Sequence, residues 1–298
     1  MLQLQASDPL PGRRVHNNTD WAGIQLAIQA GFTLAPLLPL GADSGYVWIP
    51  KNGCTSLKRA WLQLQRRAPS SPDDHNSVHA QVQPHTHWLT AEELKAVAAH
   101  RGLVAIWRDP IDRFVSACRS HLQELTASAF QRRLELSSGD DAALLAKAVA
   151  WHQDLFDREG VVPFADNIDP VEAMNQVALE QNAWLRCHID WSHHTTPQVS
   201  YLGGDPRAYR TILGMDQIQV LIEHWSSVSG IALDTTPQHQ SKALEAADPW
   251  RCLHRDQLSP QAIAALQRFY AADWAFLELA HQHLGQWPEQ NAAQPQAA

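Results

Sequence analysis

Cysteine and basic residues are scarce in this chain, and both shortages narrow its possible roles. Only four cysteines occur among 298 residues, they are widely spaced, and no two form a Cys-x-x-Cys pair. Such a distribution in a chain of this length does not indicate a disulfide framework. The formal net charge is −8, which argues against a nucleic-acid partner, because proteins that bind nucleic acids carry a concentrated positive charge.

We also expect no signal peptide, and the sequence shows neither an uninterrupted apolar run nor internal repeats. Its first residues carry no basic region, and residues 21–40, although fairly apolar, contain two prolines and two glutamines. A membrane span needs about 20 consecutive, predominantly apolar residues. We therefore expect no membrane span and a soluble, cytoplasmic protein.

Acidic residues are absent between Asp43 and Asp73, and this gap coincides with a basic stretch. Two lysines and three arginines lie there: Lys51, Lys58, Arg59, Arg66 and Arg67. A locally basic segment in an acidic protein suits a small polyanionic ligand. For the last two arginines we favour the simpler interpretation of a solvated helix face.

A strand, a tight turn and a helix start are predicted in succession within residues 46–61. The first four residues are β-branched or aromatic, Pro50 follows them directly, and Lys51-Asn52-Gly53 has the composition of a turn. Apolar residues then recur at helical spacing, after two hydroxyl residues that can cap a helix, Thr55 and Ser56. This arrangement presents backbone N–H groups, hydroxyls and one lysine to an anion.

Two well-known phosphate-binding loops do not fit this segment. A Walker A loop requires lysine directly after its second glycine, whereas Lys51 precedes the only glycine here. A cysteine-phosphatase loop requires the pattern Cys-x5-Arg, whereas Arg59 is one position too close to Cys54. The segment therefore predicts an anion-binding loop of another kind.

A second strand and helix are predicted around residues 103–121. An apolar run over 103–107 predicts the strand, and Arg108-Asp109-Pro110 ends it, with Pro110 suited to the first turn of the next helix. Ser116 lies two helical turns further on. An arginine fork and a serine hydroxyl are suitable donors to the oxygens of a phosphate group.

Together the two segments resemble the donor-binding motifs of the sulfotransferases. Residues 50–55 resemble the 5′-phosphosulfate loop in the Pro-Lys-x-x-Cys-Thr form of the carbohydrate (family 2) enzymes. Residues 108–119 resemble the Arg-Asp-Pro-x-x-Arg-x-x-Ser-x-x-Arg segment of the same family. The resemblance implies a transferase that uses 3′-phosphoadenosine 5′-phosphosulfate (PAPS) as donor and releases adenosine 3′,5′-bisphosphate.

The resemblance also implies the acceptor and the setting. Family members act mostly on sugar hydroxyls, so we expect a carbohydrate or glycoconjugate acceptor. No metal is expected, because the donor is already an activated mixed anhydride. The animal enzymes of this type are anchored in the Golgi by an N-terminal helix that we do not find here, so we expect a bacterial protein.

The implied site residues divide between the two ends of the donor. Lys51 would stabilise the bridging and leaving-group oxygen, and Arg108 with Ser116 would bind the 3′-phosphate. The remaining loop residues would bind the 5′-phosphate: Asn52, Gly53, Cys54, Thr55 and Ser56.

Other residues of these segments have simpler explanations. Arg113 matches the second motif, but an ion pair with Asp109 or Asp112 explains it equally well. We expect Arg119 at the surface, and Cys118, like Cys54, as a small packing residue.

The base that takes the proton from the acceptor is predicted to be a histidine, because the pKa of this side chain lies near neutrality. His85 and His87 precede a predicted helix, where we expect the carboxyl ends of the strands. They resemble the His-x-His of the uronyl 2-O-sulfotransferases, whose histidines include the base. We favour His87, then His85, then His194. Other sulfotransferases use glutamate, so Glu92 and Glu93 stay open, although helix capping accounts for Glu93.

Two weaker segments extend the resemblance. Residues 190–198 resemble the family's His-[Trp/Phe]-x-Pro-Gln segment through His194, Pro197 and Gln198, although Thr195 replaces the aromatic residue. Residues 259–277 resemble its closing helix, which carries Tyr-x-x-Asp-[Phe/Trp].

The fold class predicted from these elements is a three-layer α/β fold with a mainly parallel sheet of about four or five strands. By resemblance it carries a P-loop-like nucleotide site, as sulfotransferases and P-loop NTPases do, with a helical insertion. Further strands are expected over 199–202 and 209–213, and a polar loop over 68–84.

The expected organisation along the chain has three parts. They are an N-terminal arm over 1–44, a sulfotransferase domain over 45–285 and a disordered tail over 286–298. Within the domain, residues of about 120–185 are expected to form an all-helical lobe over the acceptor site.

Three alternatives stay open, two from other classes of protein and one within the transferases. A metal-dependent hydrolase could draw ligands from two histidine-rich stretches: His85, His87, Asp190, His193 and His194. A non-catalytic protein could bind adenosine 3′,5′-bisphosphate without turnover. An ordinary P-loop kinase is disfavoured by the position of Lys51 and by the lack of a nearby strand that ends in aspartate.

Overall fold

A computed structural model describes residues 10–15, 18–67, 75–139, 141–234 and 248–284. The chain divides into two compact units. The first, called the sheet unit here, comprises Met1–Arg108, Pro197–His239 and Ala272–Ala298. The second, called the helical unit, comprises Asp109–Thr196 and Gln240–Ala271.

The sheet unit is built on one sheet, which has five strands in the described residues. They are β1 (Ala35–Pro39), β2 (Ser44–Val47), β3 (His87–Leu89), β4 (Gly102–Trp107) and β5 (Tyr209–Gly214), in the spatial order β3-β1-β2-β4-β5. Strands β2, β4 and β5 pair in parallel, whereas β1 is antiparallel to both β2 and β3. Four strands therefore run in one direction and β1 runs against them, so the predicted α/β class is confirmed, with a sheet that is mixed.

Both faces of the sheet are covered. Neighbouring residues of a strand point to opposite faces, yet Leu37 and Leu38 in β1 are both fully buried, as are Tyr46 and Val47 in β2. Burial on both faces is what a three-layer α/β fold requires. The core continues beyond β2 through Trp48 and Ile49, so the chain reaches its next turn from a buried strand.

The helices follow one another closely along the chain. Those of the first half are α1 (Asn18–Gln29), α2 (Cys54–Leu64), α3 (His75–Val82), α4 (Ala91–Ala98), α5 (Pro110–His121), α6 (Ala127–Ser138) and α7 (Ala142–Glu159). Those of the second half are α8 (Pro170–Leu179), α9 (Gln181–Cys187), α10 (Ile189–Thr195), α11 (Val199–Leu202), α12 (Ile218–Ser229), α13 (Pro260–Phe269) and α14 (Ala271–Leu284). Among the described residues, no helix is long and apolar enough to cross a membrane.

Several helix starts follow directly from local sequence. Thr90 and Glu93 form the predicted capping box of α4, each side chain bonding the other's backbone N–H. Asp109-Pro110, Asp169-Pro170 and Ser259-Pro260 each place a side-chain acceptor at the N-cap and proline at the first helical position. The signal for each of these helix starts is confined to adjacent residues.

Some expectations require correction. Strand β1 lies within the predicted N-terminal arm, and β3 was not predicted. Residues 199–202, expected as a strand, form α11, and much of the expected polar loop over 68–84 is α3. The expected lobe over 120–185 is helical in its described residues, but the helical unit is larger, since it starts at Asp109. The predicted tail over 286–298 lies outside the described residues.

Candidate functional site

The turn after β2 is tightly bent. Lys51 and Gly53 both have left-handed backbone conformations, with φ of 67° and 66°, on either side of Asn52. Glycine adopts this conformation without cost, whereas lysine does so only when its surroundings impose it. Gly53 is the N-cap of α2 and has no side chain to cap the first N–H groups of the helix. The turn therefore presents the start of a helix, which is a favourable place for an anion.

Close packing explains why glycine is needed at position 53. A Cβ atom there would lie 2.2 Å from Cδ1 of Ile218, the first residue of α12. Any side chain at this position would force Ile218 away from the loop, in addition to straining the backbone.

Asn52 connects the loop to the interior of the sheet unit. Its side chain is fully buried, and Nδ2 donates hydrogen bonds to the carbonyl oxygen of Ile106 at 2.8 Å and to Oε1 of Gln198 at 2.6 Å. In the described part of the chain, its Oδ1 atom has no hydrogen-bond partner. The Nδ2 atom of Asn52 thus holds the loop against the end of β4.

Arg108 lies immediately after β4 and contacts the same loop. Its Nη1 donates to the carbonyl oxygen of Lys51 at 2.8 Å. Its backbone N–H donates to Oε1 of Gln198 at 3.3 Å, and Nε2 of Gln198 donates to the carbonyl oxygen of Arg108 at 2.8 Å. The structure therefore joins two residues that the sequence assigns to opposite ends of one ligand.

Gln198 is itself fixed by a residue of α14. The carboxylate of Asp273 is fully buried and accepts hydrogen bonds from the backbone N–H groups of Gln198 and Val199, both at 3.0 Å. Both side chains belong to the weaker motifs of the sequence, which gave no role for them. Their contacts show that they support the loop, because Gln198 links Asn52 to Arg108 and Asp273 caps α11.

A second group of polar side chains surrounds Thr55 and includes two residues that the sequence analysis did not select. Thr55 Oγ1 lies 3.3 Å from Nε2 of His79, and Nδ1 of His79 lies 3.0 Å from Nζ of Lys58. Lys58 is 2% exposed, and its ammonium group lies 3.2 Å from the centre of the Trp48 ring. Burial lowers the pKa of Lys58 to about 8. The available sequence signal was a lysine among the apolar residues on the buried face of α2.

We expected His87 to follow a strand. Instead, it is the first residue of β3, where it pairs with Leu37 of β1. It is buried, and its Nδ1 donates to the carbonyl oxygen of Pro11 at 3.2 Å, since a carbonyl can only accept. Its Nε2 accepts from Nη2 of Arg14 at 3.2 Å, since arginine can only donate. Burial, followed by the charge of Arg14, lowers the pKa of His87. The imidazole is therefore neutral near pH 7, and its basic nitrogen is bonded to Arg14 in this conformation.

His85 ends a short 3-10 helix, Gln83–His85, and has a similar environment. Its Nε2 accepts from Nη1 of Arg67 at 2.5 Å, and its ring lies against Trp61 with 5.5 Å between ring centres. Burial, followed by the charges of Arg67 and Arg14, lowers its pKa. Both members of the His-x-His pair are thus neutral and bonded to arginines.

Ser116 and His194 belong to the helical unit. Ser116 lies in α5 and is half-buried, and His194 lies in α10, where its ring stacks on His121 at 3.9 Å. The expected site residues therefore lie in two different units. Ser116 and His194 belong to the helical unit, and the others belong to the sheet unit: residues 51–56, His85, His87 and Arg108.

The other arginines of the second motif serve the helical unit. Arg113 is fully buried, and its Nη1 donates to the carbonyl oxygen of Thr196 at 2.7 Å. The two carboxylates considered as its partners, Asp109 and Asp112, both pair with Arg255 at 3.1 Å. Arg119 is half-buried and donates from Nε to the carbonyl oxygen of Leu253 at 2.5 Å.

The residues of the metal hypothesis are divided between the two units. His85 and His87 lie in the sheet unit, whereas Asp190, His193 and His194 lie in the helical unit, where Asp190 pairs with Arg133. Within the described ranges, no group of three or more His, Cys, Asp or Glu side chains is arranged to hold a metal ion.

Comparison with known families gives one result. Residues 45–151 match the sequence model of the Sulfotransferase family, and this range includes the loop and Arg108. No curated protein and no solved structure matches the chain significantly. The family match, together with the contact between the loop and Arg108, supports a sulfotransferase, and hence sulfuryl transfer as the general chemistry of this chain.

Proposed function

We propose that the protein transfers a sulfuryl group from PAPS to a hydroxyl of a carbohydrate or glycoconjugate acceptor. One observation carries the proposal: Arg108, whose motif implies a 3′-phosphate contact, donates a hydrogen bond to the carbonyl oxygen of Lys51 in the loop whose motif implies a 5′-phosphosulfate contact. Both residues lie within the range matched by the family model. A single PAPS molecule carries both the 3′-phosphate and the 5′-phosphosulfate.

The donor would be held by charge-assisted hydrogen bonds. The backbone N–H groups of the loop from Gly53 on, together with the hydroxyls of Thr55 and Ser56, would bind the 5′-phosphate. The guanidinium group of Arg108 offers several donors to the 3′-phosphate. Ser116 joins this set on the strength of its motif alone.

The reaction follows the in-line pattern of phosphoryl transfer. The acceptor oxygen forms a bond to sulfur, the bond between sulfur and the bridging oxygen breaks, and adenosine 3′,5′-bisphosphate leaves. Lys51 would stabilise the negative charge that develops on the bridging oxygen. The proton of the acceptor hydroxyl passes to a base.

For the base we propose His87, followed by His85 and His194. The lowered pKa of His87 keeps it in the neutral form that a base requires. Its Nε2 atom accepts a hydrogen bond from Arg14, so Arg14 must move before this nitrogen can accept a proton. His85 requires the same movement of Arg67.

These two arginine contacts favour a second candidate function, a protein that binds adenosine 3′,5′-bisphosphate without catalysis. In such a protein both histidines would keep their arginine partners permanently. Single His87→Ala, His85→Ala and His194→Ala variants separate the two functions, because a base that is removed abolishes turnover and leaves the affinity for the bisphosphate unchanged.

Calorimetric titration with adenosine 3′,5′-bisphosphate tests the donor site. We expect micromolar binding by the wild type and a loss of at least about tenfold in Arg108→Ala, since hydrogen bonds to charged groups contribute about 1.5–3 kcal/mol. Arg101→Ala is a matched control, because Arg101 bonds a backbone carbonyl, that of Gly41, just before β4 starts. Equal losses in both variants, or no binding by the wild type, would refute the proposal.

With binding established, labelled PAPS and a panel of saccharides test turnover. Label transfer to a saccharide hydroxyl supports the enzyme. Tight bisphosphate binding without transfer to any acceptor supports the non-catalytic alternative.

A further inference from the structure

Thr55, His79 and Lys58 form a continuous chain of polar contacts inside the sheet unit. The Thr55 hydroxyl faces Nε2 of His79 at 3.3 Å, and Nδ1 of His79 faces the ammonium group of Lys58 at 3.0 Å. Lys58 and Thr55 lie on α2, three residues apart, whereas His79 lies on α3. The sulfotransferase motifs give no role to His79 or Lys58.

The direction of the two hydrogen bonds, from donor to acceptor, follows from the chemistry of Lys58. A lysine ammonium group has three N–H donors and no acceptor, so Nδ1 of His79 must accept a hydrogen bond from Lys58. The proton of the neutral imidazole then resides on Nε2, which donates to Oγ1 of Thr55. The oxygen of Thr55 is therefore used as an acceptor on the side of His79, and its own O–H is directed elsewhere.

We propose that His79 and Lys58 are positioning residues, which orient the Thr55 hydroxyl so that its proton points to the 5′-phosphate of the bound donor. This inference rests on the proposed function, because it takes the loop at residues 50–56 as the 5′-phosphate site. It adds two residues from outside the motifs and gives each a distinct part. Lys58 fixes the tautomer of His79, and His79 fixes the orientation of Thr55.

The surroundings of Lys58 favour this arrangement. Its ammonium group is nearly inaccessible to water, lies over the ring of Trp48 and contacts His79. With a pKa of about 8, the group is still largely protonated at pH 7. A cation held in this way keeps the Nδ1 atom of His79 unprotonated.

Two nucleotides separate an effect on Thr55 from a general loss of structure. Adenosine 3′,5′-bisphosphate carries the 5′-phosphate, whereas adenosine 3′-monophosphate lacks it. We expect His79→Leu to weaken binding of the bisphosphate about five- to twentyfold and to leave binding of the monophosphate unchanged. His79→Gln, which keeps an N–H donor near Thr55, should restore part of the loss, and His100→Leu, at an exposed histidine, should have no effect.

A double-mutant cycle tests whether His79 acts through Thr55. Thr55→Val should weaken bisphosphate binding, and the double variant Thr55→Val/His79→Leu should bind no more weakly than Thr55→Val alone. Additive losses, an equal loss for both nucleotides, or wild-type binding by His79→Leu would overturn the inference while the proposed function stands. No bisphosphate binding by the wild type would overturn both.

Nitrogen-15 chemical shifts of the histidine rings give a readout that does not depend on a ligand. In the wild type at pH 7, His79 should be protonated at Nε2 alone, its signals being assigned by their loss in His79→Gln. In Lys58→Met, the same ring should show a mixture of both tautomers. A wild-type ring protonated at Nδ1, or a tautomer unaffected by Lys58→Met, would refute the proposed part of Lys58.

Discussion

At the scale of single residues, neutral amides secure the loop of the candidate site. Asn52 and Gln198 are fully buried and bond each other, and through them the loop is joined to Ile106 and Arg108. Burying an amide with hydrogen-bond partners costs far less than burying a charge. This leaves the cationic groups of Lys51 and Arg108, both half-buried, at the loop itself.

Lys58 is a charged residue inside the core of the sheet unit, and the cost of burying its charge can be measured. Its pKa falls from 10.5 in the unfolded chain to about 8 in the fold because burial disfavours the ammonium form. We expect Lys58→Met to raise the free energy of unfolding at pH 7 by about 1–3 kcal/mol, since each pH unit of the displacement corresponds to about 1.4 kcal/mol and some contacts are lost.

The pH dependence of this gain has a definite sign. Below about pH 8 the folded protein bears the full cost of the buried charge. Between about pH 8 and 10.5 the folded form releases this proton before the unfolded form does, so the wild type gains stability relative to the variant. The difference in the free energy of unfolding between Lys58→Met and the wild type, measured by urea unfolding, should therefore decrease across this pH range. Lys95→Met, at an exposed lysine of α4, should show no such trend.

At the scale of elements, the start of α2 depends on the lack of a side chain at residue 53. Gly53→Ala would place a Cβ 2.2 Å from Ile218 in a left-handed backbone conformation. We expect a loss of about 2–4 kcal/mol in the free energy of unfolding, the sum of about 1 kcal/mol for the backbone and the remainder for overpacking. Bisphosphate affinity should fall as well, because the loop must shift.

Gly230→Ala is the matched control. Gly230 has nearly the same φ, 67°, but an added Cβ would meet no heavy atom within 4 Å. Gly230→Ala should lose only the part of the free energy of unfolding that comes from the strained backbone. The double variant Gly53→Ala/Ile218→Ala should recover part of the bisphosphate binding. Equal losses of stability in the two glycine variants would contradict the role given to Ile218.

Sequence patterns predict elements well where the determinants are local. Strand β4 is an apolar run, β2 and β5 contain aromatic and β-branched residues, and α4, α5, α8 and α13 carry their own caps. Strand β1 was missed because two of its five residues are prolines, which disfavour strands, and β3 because it has only three residues. Helix α11 was predicted as a strand because its first N–H groups are capped by Asp273, a distant residue.

The same distinction applies to the site. The motifs identified Lys51 and Arg108 because both residues lie within recognisable sequence patterns. Nothing in the local sequence could bring His79 to Thr55, or identify Gln198 as the bridge between Asn52 and Arg108. These partners depend on the packing of helices and strands that are distant along the chain.

At the scale of the whole molecule, contacts between three separate segments of the chain hold the sheet unit together. Asp273 lies 75 positions after Gln198 in the sequence, yet its carboxylate accepts two N–H groups at the start of α11. Because Gln198 also bonds Asn52 and Arg108, the last segment of the unit supports the loop of the first.

Asp273→Asn tests this connection. An amide supplies only one acceptor oxygen, so one of the two backbone N–H groups would lose its partner. We expect a loss of about 1–3 kcal/mol in the free energy of unfolding and weaker binding of the bisphosphate. Asp169→Asn is the control, since Asp169 caps α8 through one oxygen at an exposed position and asparagine can replace it. An unchanged bisphosphate affinity in Asp273→Asn would show that α14 does not support the loop.

The position of Asp273 along the chain also has a consequence for protein synthesis. The ribosome makes the loop at residues 50–56 first, Arg108 and Gln198 later, and Asp273 last. A nascent chain that has not reached α14 can form the strands around the loop but cannot cap α11. The backbone N–H groups of Gln198 and Val199 then lack their acceptor. The loop of this protein is therefore without the support of Asp273 until the last segment of the sheet unit has been made.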